Sequence, residues 1–64
     1  MRITLLPQHK QIELQGRRRV ADLLRDLDLL PGTVMVIRRD ELVCEDELIE
    51  PDDAIEIRNV ISGG

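Results

Sequence analysis

The chain has 64 residues, thirteen acidic against nine basic side chains for a formal net charge of −4, and no aromatic residue. A domain of this size buries only about 60% of its unfolded surface. The core must therefore be aliphatic, and a deep substrate cavity lined by this chain alone is excluded. The acidic balance argues against general nucleic-acid binding, which needs a basic face, and the size fits a carrier, binding module or modifier better than an enzyme.

In chain order, residues 2–6 read as a strand with Ile3 and Leu5 on one face. Residues 7–10 form a polar turn that contains His9. Residues 11–15 alternate, with Ile12 and Leu14 inward, so the two segments make a hairpin that Gly16 ends. Val20, Leu23, Leu24 and Leu27 stand at i, i+3, i+4 and i+7 and place four aliphatic side chains on one face of a short helix over residues 20–27. Asp22 suits the positive end of its dipole, whereas Arg19 is a poor N-cap. Pro31 and Gly32 close the segment with a turn.

Residues 34–37 are apolar throughout and β-branched at three of four positions, which predicts a strand covered on both faces or one whose outer face awaits a partner. Alternation requires that one of the pairs Val34/Val36 and Met35/Ile37 face away from the helix. Residues 39–41 are a tight connection and Leu42-Val43 a short strand. Residues 45–50 are a polar connection anchored by Leu48 and Ile49. Pro51, Asp52 and Asp53 turn the chain into a last strand, where Ile55 and Ile57 alternate with Glu56 and Arg58. One helix must cover one sheet, and the order ββαβββ, with one short strand near its end, places the first and last strands side by side and parallel. The expectation is an α+β chain with the β-grasp architecture: a mixed sheet of four to five strands with one helix on one face. Its domain spans residues 1–60, and residues 61–64 are a flexible tail.

Every charged residue from position 40 to position 53 is acidic, a block suited either to steering onto a basic surface or to a solvated loop. Arg17, Arg18 and Arg19 read as a solvated loop before the helix, with an anion or RNA contact as the alternative. Cys44 is the sole cysteine, so no internal disulfide exists. Its place after Leu42-Val43 predicts a packed, inert thiol. No apolar run is long enough to span a membrane, and a reducing, cytoplasmic setting fits the lone thiol.

The sequence ends in Val60, Ile61, Ser62, Gly63 and Gly64. Without Cβ atoms, a Gly-Gly end can thread a channel too narrow for side chains and bring a terminal carboxylate to an activating enzyme. This ending, the Pro51-Asp52-Asp53 turn, the strand Ala54-Ile55-Glu56-Ile57 and the strand order resemble the ubiquitin-like sulfur carriers of ThiS and MoaD type. Leu30-Pro31-Gly32-Thr33-Val34 and Glu45-Asp46 look most like the tRNA-thiolation branch. The family often has Asp-Gly-Asp where this chain has Asp52 in the middle, and Thr or Ser where it has Arg19.

The resemblance implies that Gly64 is adenylated by an E1-like adenylyltransferase (ThiF or MoeB type) and converted to a thiocarboxylate. The sulfur comes from a cysteine desulfurase or rhodanese-like protein and passes to a downstream accepting enzyme, in thiamine thiazole synthesis, tRNA 2-thiolation or, as the third choice, molybdopterin formation. On this reading the chain is a protein co-substrate, not an enzyme. It holds no cofactor or metal of its own; ATP and magnesium, with zinc, belong to the activating partner. Ser62 and Gly63 supply reach, Val60 and Ile61 dock beside the tail, and Met35 and Ile37 form an outer-sheet patch. Neither a membrane nor a nucleic acid is an expected direct partner. Two other readings stand beside this one: a modifier joined through Gly64 to target lysines, with Lys10 as the only lysine of the chain itself, and a non-catalytic β-grasp module that uses the arginine run.

Overall fold

Alternating aliphatic residues on four segments build one sheet face, and the helix supplies the layer that covers it. The computed structural model describes residues 1–60. In chain order the strands are β1 (Arg2–Leu6), β2 (Lys10–Glu13), β3 (Arg18–Arg19), β4 (Val34–Arg38), β5 (Glu41–Leu42), β6 (Leu48–Ile49) and β7 (Ala54–Asn59). The helix α1 (Val20–Asp26) follows β3, and a single 3-10 turn (Pro31–Thr33) leads into β4. The main sheet has the order β2-β1-β7-β4-β5. β1 and β7 run parallel, with Ile3 opposite Ile55 and Leu5 opposite Ile57, and the other pairs are antiparallel. This mixed five-stranded sheet under one helix is the β-grasp.

Ile3, Val36, Ile55 and Ile57 face the helix and meet Val20, Leu23 and Leu24; Met1 and Ile49 complete the buried cluster. Leu5, Ile12, Leu14, Leu27 and Leu29 pack around it partly buried. Val20, Leu23 and Leu24 thus hold the positions that helical spacing assigned them. Leu27 ends the helix: its N–H reaches the Leu23 carbonyl at 3.1 Å.

Arg19 makes no side-chain cap. Instead the first two helical N–H groups donate to the backbone of the acidic segment, Val20 to the Glu47 carbonyl at 3.0 Å and Ala21 to the Glu45 carbonyl at 2.9 Å. These bonds satisfy donors that would otherwise be orphaned at the helix start. They also bring β6 alongside β3, with Arg18 opposite Ile49 and Arg19 opposite Leu48. The arginine run is therefore a short strand plus its approach, not a solvated loop. The segment 45–50 is likewise built into the fold, with Ile49 fully buried and Leu48 left 37% exposed.

Both connections that the sequence reads at residues 39–41 and 51–53 are turns. The β4–β5 loop is only Arg39 and Asp40, with φ of 53° and 65°. Two successive left-handed residues are the mark of the type I′ hairpin turn. The turn before β7 instead has Pro51 in its first central position and closes with Asp53 N–H donating to the Glu50 carbonyl at 3.1 Å. Asp52 is not among the positive-φ residues, so the position the family often gives to glycine needs no left-handed backbone here. The Asp53 carboxylate also accepts from Glu50 N–H at 2.9 Å and approaches Arg38 Nη1 at 3.4 Å.

Candidate functional site

The sheet face away from the helix is set by the same alternation that builds the core. Val36 is 4% exposed and Val34 packs against the core, so Met35 and Ile37 point outward, both partly exposed. Register then fixes their neighbours, since paired residues share a face. Ile37 lies between Glu56 of β7 and Leu42 of β5, while Met35 lies beside Arg58, which is paired on its other side with Leu6. Leu42 is 65% exposed. The result is a small apolar island of Met35, Ile37 and Leu42, bordered by a Glu56–Arg58 ion pair of 3.6 Å. Leu42 joins this island because a two-residue loop sets it opposite Ile37; the apolar run Leu42-Val43 alone did not mark it as outward.

β7 brings the end of the described chain to a fixed point beside the 3-10 turn. Ile55 and Ile57 anchor the strand in the core, and Val60 N–H donates to the Thr33 carbonyl at 3.1 Å. Val60 itself is 47% exposed. Ile61, Ser62, Gly63 and Gly64 lie outside the described residues.

Cys44 is exposed, contrary to the packed thiol expected. Val43 turns toward the core, and alternation sends the next side chain outward. Each arginine of the 17–19 run is engaged within the fold. Arg17 Nε pairs with Glu50 at 3.2 Å, and Arg18 Nη1 with Asp26 at 2.6 Å. Arg18 Nη2 donates to the Gln15 carbonyl at 2.8 Å and Arg19 Nη1 to the Asp46 carbonyl at 2.6 Å. These contacts give the run a structural role.

The acidic block divides. Glu47 and Asp53 face Arg38 at 3.8 and 3.4 Å, and Glu50 faces Arg17. Asp40, Glu41, Glu45, Asp46 and Asp52 have no ion-pair partner among the described residues. Among those residues no three His, Cys, Asp or Glu side chains come together as a metal site, and no helix is long and apolar enough to cross a membrane.

The family model described as "Small archaeal modifier protein 2" matches residues 4–61. "Sulfur carrier protein TtuB" of Thermus thermophilus is 37% identical over 65 aligned positions, which take in the whole of this chain and the whole of that protein. The match thus covers every strand and the helix, along with the face and the chain end described above. The chain belongs to the family of ubiquitin-like sulfur carriers and small modifiers that this model and this relative represent.

Proposed function

We propose that this protein is a sulfur carrier whose reactive group is the Gly64 carboxylate. The observation that carries the reading is the full-length identity to a protein named as a sulfur carrier, joined to a Gly-Gly sequence that follows the central strand of the sheet. A carboxylate resists substitution because oxide is a poor leaving group. Transfer of AMP from ATP, with release of pyrophosphate, gives an acyl-adenylate whose leaving group is AMP. A donor persulfide then attacks the Gly64 carbonyl carbon and expels AMP, forming an acyl disulfide. A thiol attacks the donor sulfur of that disulfide, which leaves a protein disulfide and releases the thiocarboxylate.

An E1-like adenylyltransferase performs the first step with ATP and magnesium. A cysteine desulfurase or rhodanese-like protein supplies the persulfide, and tRNA 2-thiolation or thiazole synthesis consumes the product. Within this chain, β7 and the Val60–Thr33 bond hold the base of the ending in place, and Ile61, Ser62 and Gly63 carry Gly64 into the partner. The island of Met35 and Ile37, with Val60 at its end of the sheet, is the docking face. The test is the intact mass after incubation with ATP, a sulfur donor and the host's E1-like enzyme. Exchange of one terminal oxygen for sulfur, absent when Gly64 is deleted, is the expected result. An unchanged mass, with the same enzyme active on another carrier, overturns the reading.

One observation favours a second use of the same end: the matching family model is described as a modifier. Attack on the acyl-adenylate by a lysine amine gives an amide and AMP. Amide-linked conjugates in cells, lost with Gly64, would support it.

A further inference from the structure

The ladder between β4 and β5 stops early. β5 pairs only with Ile37 and Arg38, and one further bond runs from Val43 N–H to the Val36 carbonyl at 2.9 Å. In an antiparallel ladder a residue turns its N–H and carbonyl to the same neighbour, and residues two apart turn to the same side. Val34 therefore presents both backbone groups on the side away from β7. Among the described residues nothing pairs with them there.

Beside this open stretch lies a groove of about 380 Å³ walled by Val20, Leu24, Pro31, Val34 and Val43. Leu42 borders the groove, and Leu30 borders an adjoining hollow that shares Pro31 and Glu45 with it. Among the described residues these are the two most exposed large apolar side chains, at 65% and 71%. The charged rim is acidic. Glu45 lines both hollows and Asp28 lines the second. Neither has an ion-pair partner among the described residues, whereas Arg25, which also borders the second hollow, is held by Asp22 at 3.0 Å.

We propose that this edge receives an extended segment of a partner protein, added as a short strand beside Val34, with alternating apolar side chains flanked by lysine or arginine. An open edge asks for a backbone partner. The groove takes every second side chain of such a strand, and the unpaired carboxylates select basic flanks. The opposite edge, β2, opens with the exposed Lys10, whose charge repels the same segment. This site is independent of the Gly64 chemistry and distinct from the Met35–Ile37 face, apart from Met35 and Leu42, which border both.

The probe is the blocked peptide acetyl-Lys-Val-Leu-Val-Lys-amide, titrated into the full-length isotope-labelled protein. The Val34 amide is expected to shift and to gain protection from solvent exchange. Of two peptide versions N-methylated at adjacent residues, one should bind and the other should lose at least about tenfold, because only alternate N–H groups face β4. A Glu-flanked peptide, or the Glu45→Lys variant with the original peptide, should bind about three- to tenfold more weakly at low salt. Glu45→Lys leaves the backbone carbonyl that caps the helix in place. No saturation at millimolar peptide overturns the proposal. So does protection gained along β2 instead, or equal tolerance of both N-methylations. Protection of Val34 that rises with protein concentration alone assigns the edge to a second copy and likewise overturns it.

Discussion

Val36 and Ile37 are adjacent on β4 and face opposite ways, so truncating each in turn separates the folding face from the proposed docking face. Val36→Ala removes two carbons from a site only 4% exposed. At about 0.8 kcal/mol per buried carbon the transfer loss is roughly 1.6 kcal/mol, and the cavity left behind raises it to about 2–3 kcal/mol. A domain of this length holds only about 3–10 kcal/mol in total, so this loss is readily seen as a lower urea midpoint. Ile37→Ala removes three carbons, yet they lie on the sheet's outer face against Glu56 and Leu42, and the expected loss is about 1 kcal/mol or less. Against the activating enzyme the order reverses. A docking residue at an apolar interface contributes about 1–2 kcal/mol, so Ile37→Ala should lower kcat/KM for adenylation about tenfold, while folded Val36→Ala reacts as the parent does. Urea titration and ATP–pyrophosphate exchange, run on the same three proteins, check both halves. Equal destabilisation by the two changes would refute the assignment of faces. An Ile37→Ala protein activated with unchanged kcat/KM would refute the docking role while leaving the fold intact.

The other expectations are simpler. Deleting Gly64 should leave the urea midpoint unchanged and abolish thiocarboxylate formation, as read by intact mass; a shifted midpoint would mean that the ending packs on the domain. Asp53→Ala removes the acceptor for Glu50 N–H and a partner of Arg38, and should cost about 2 kcal/mol in urea unfolding. Asp52→Gly, which restores the family's frequent glycine, should destabilise by about 0.5–1 kcal/mol because the site needs no positive φ. Cys44 should be alkylated by a maleimide in the native state with the midpoint preserved, and labelling only after denaturation would contradict its exposure.

Where side chains repeat with a clear period, the sequence was legible. The valine and two leucines of α1 and the alternation of β1, β2 and β7 follow from where apolar residues must point, and the order of the elements implied the parallel pairing of β1 with β7. Legibility failed where the backbone carried the information. The helix start has no capping side chain because the carbonyls of Glu45 and Glu47 do the work, and no residue type announces a carbonyl. The β3–β6 pair is two residues long with arginines on one side, too short for any periodicity. The hairpin turn at Arg39 and Asp40 lacks the glycine or asparagine that usually signals a left-handed pair. The outer face of β4 was legible only as a choice of two, because residues 34–37 are apolar on both sides and only the burial of Val36 breaks the tie.

The same backbone accounting recasts the acidic block. Its middle, around Glu45 and Glu47, is tied to the helix start by two main-chain bonds, and Glu47, Glu50 and Asp53 each face an arginine. What remains for a partner is therefore the unpaired remainder, chiefly Asp40, Glu41, Glu45 and Asp46, rather than the whole run. Because the backbone around Glu45 and Asp46 is held at the helix N-terminus, and Asp40 and Glu41 belong to the β4–β5 hairpin, these charges keep a constant relation to the β4 edge. Replacing these side chains should consequently alter encounter rates and salt dependence far more than stability, whereas any change that moves the Glu45 or Glu47 carbonyl reaches the helix directly.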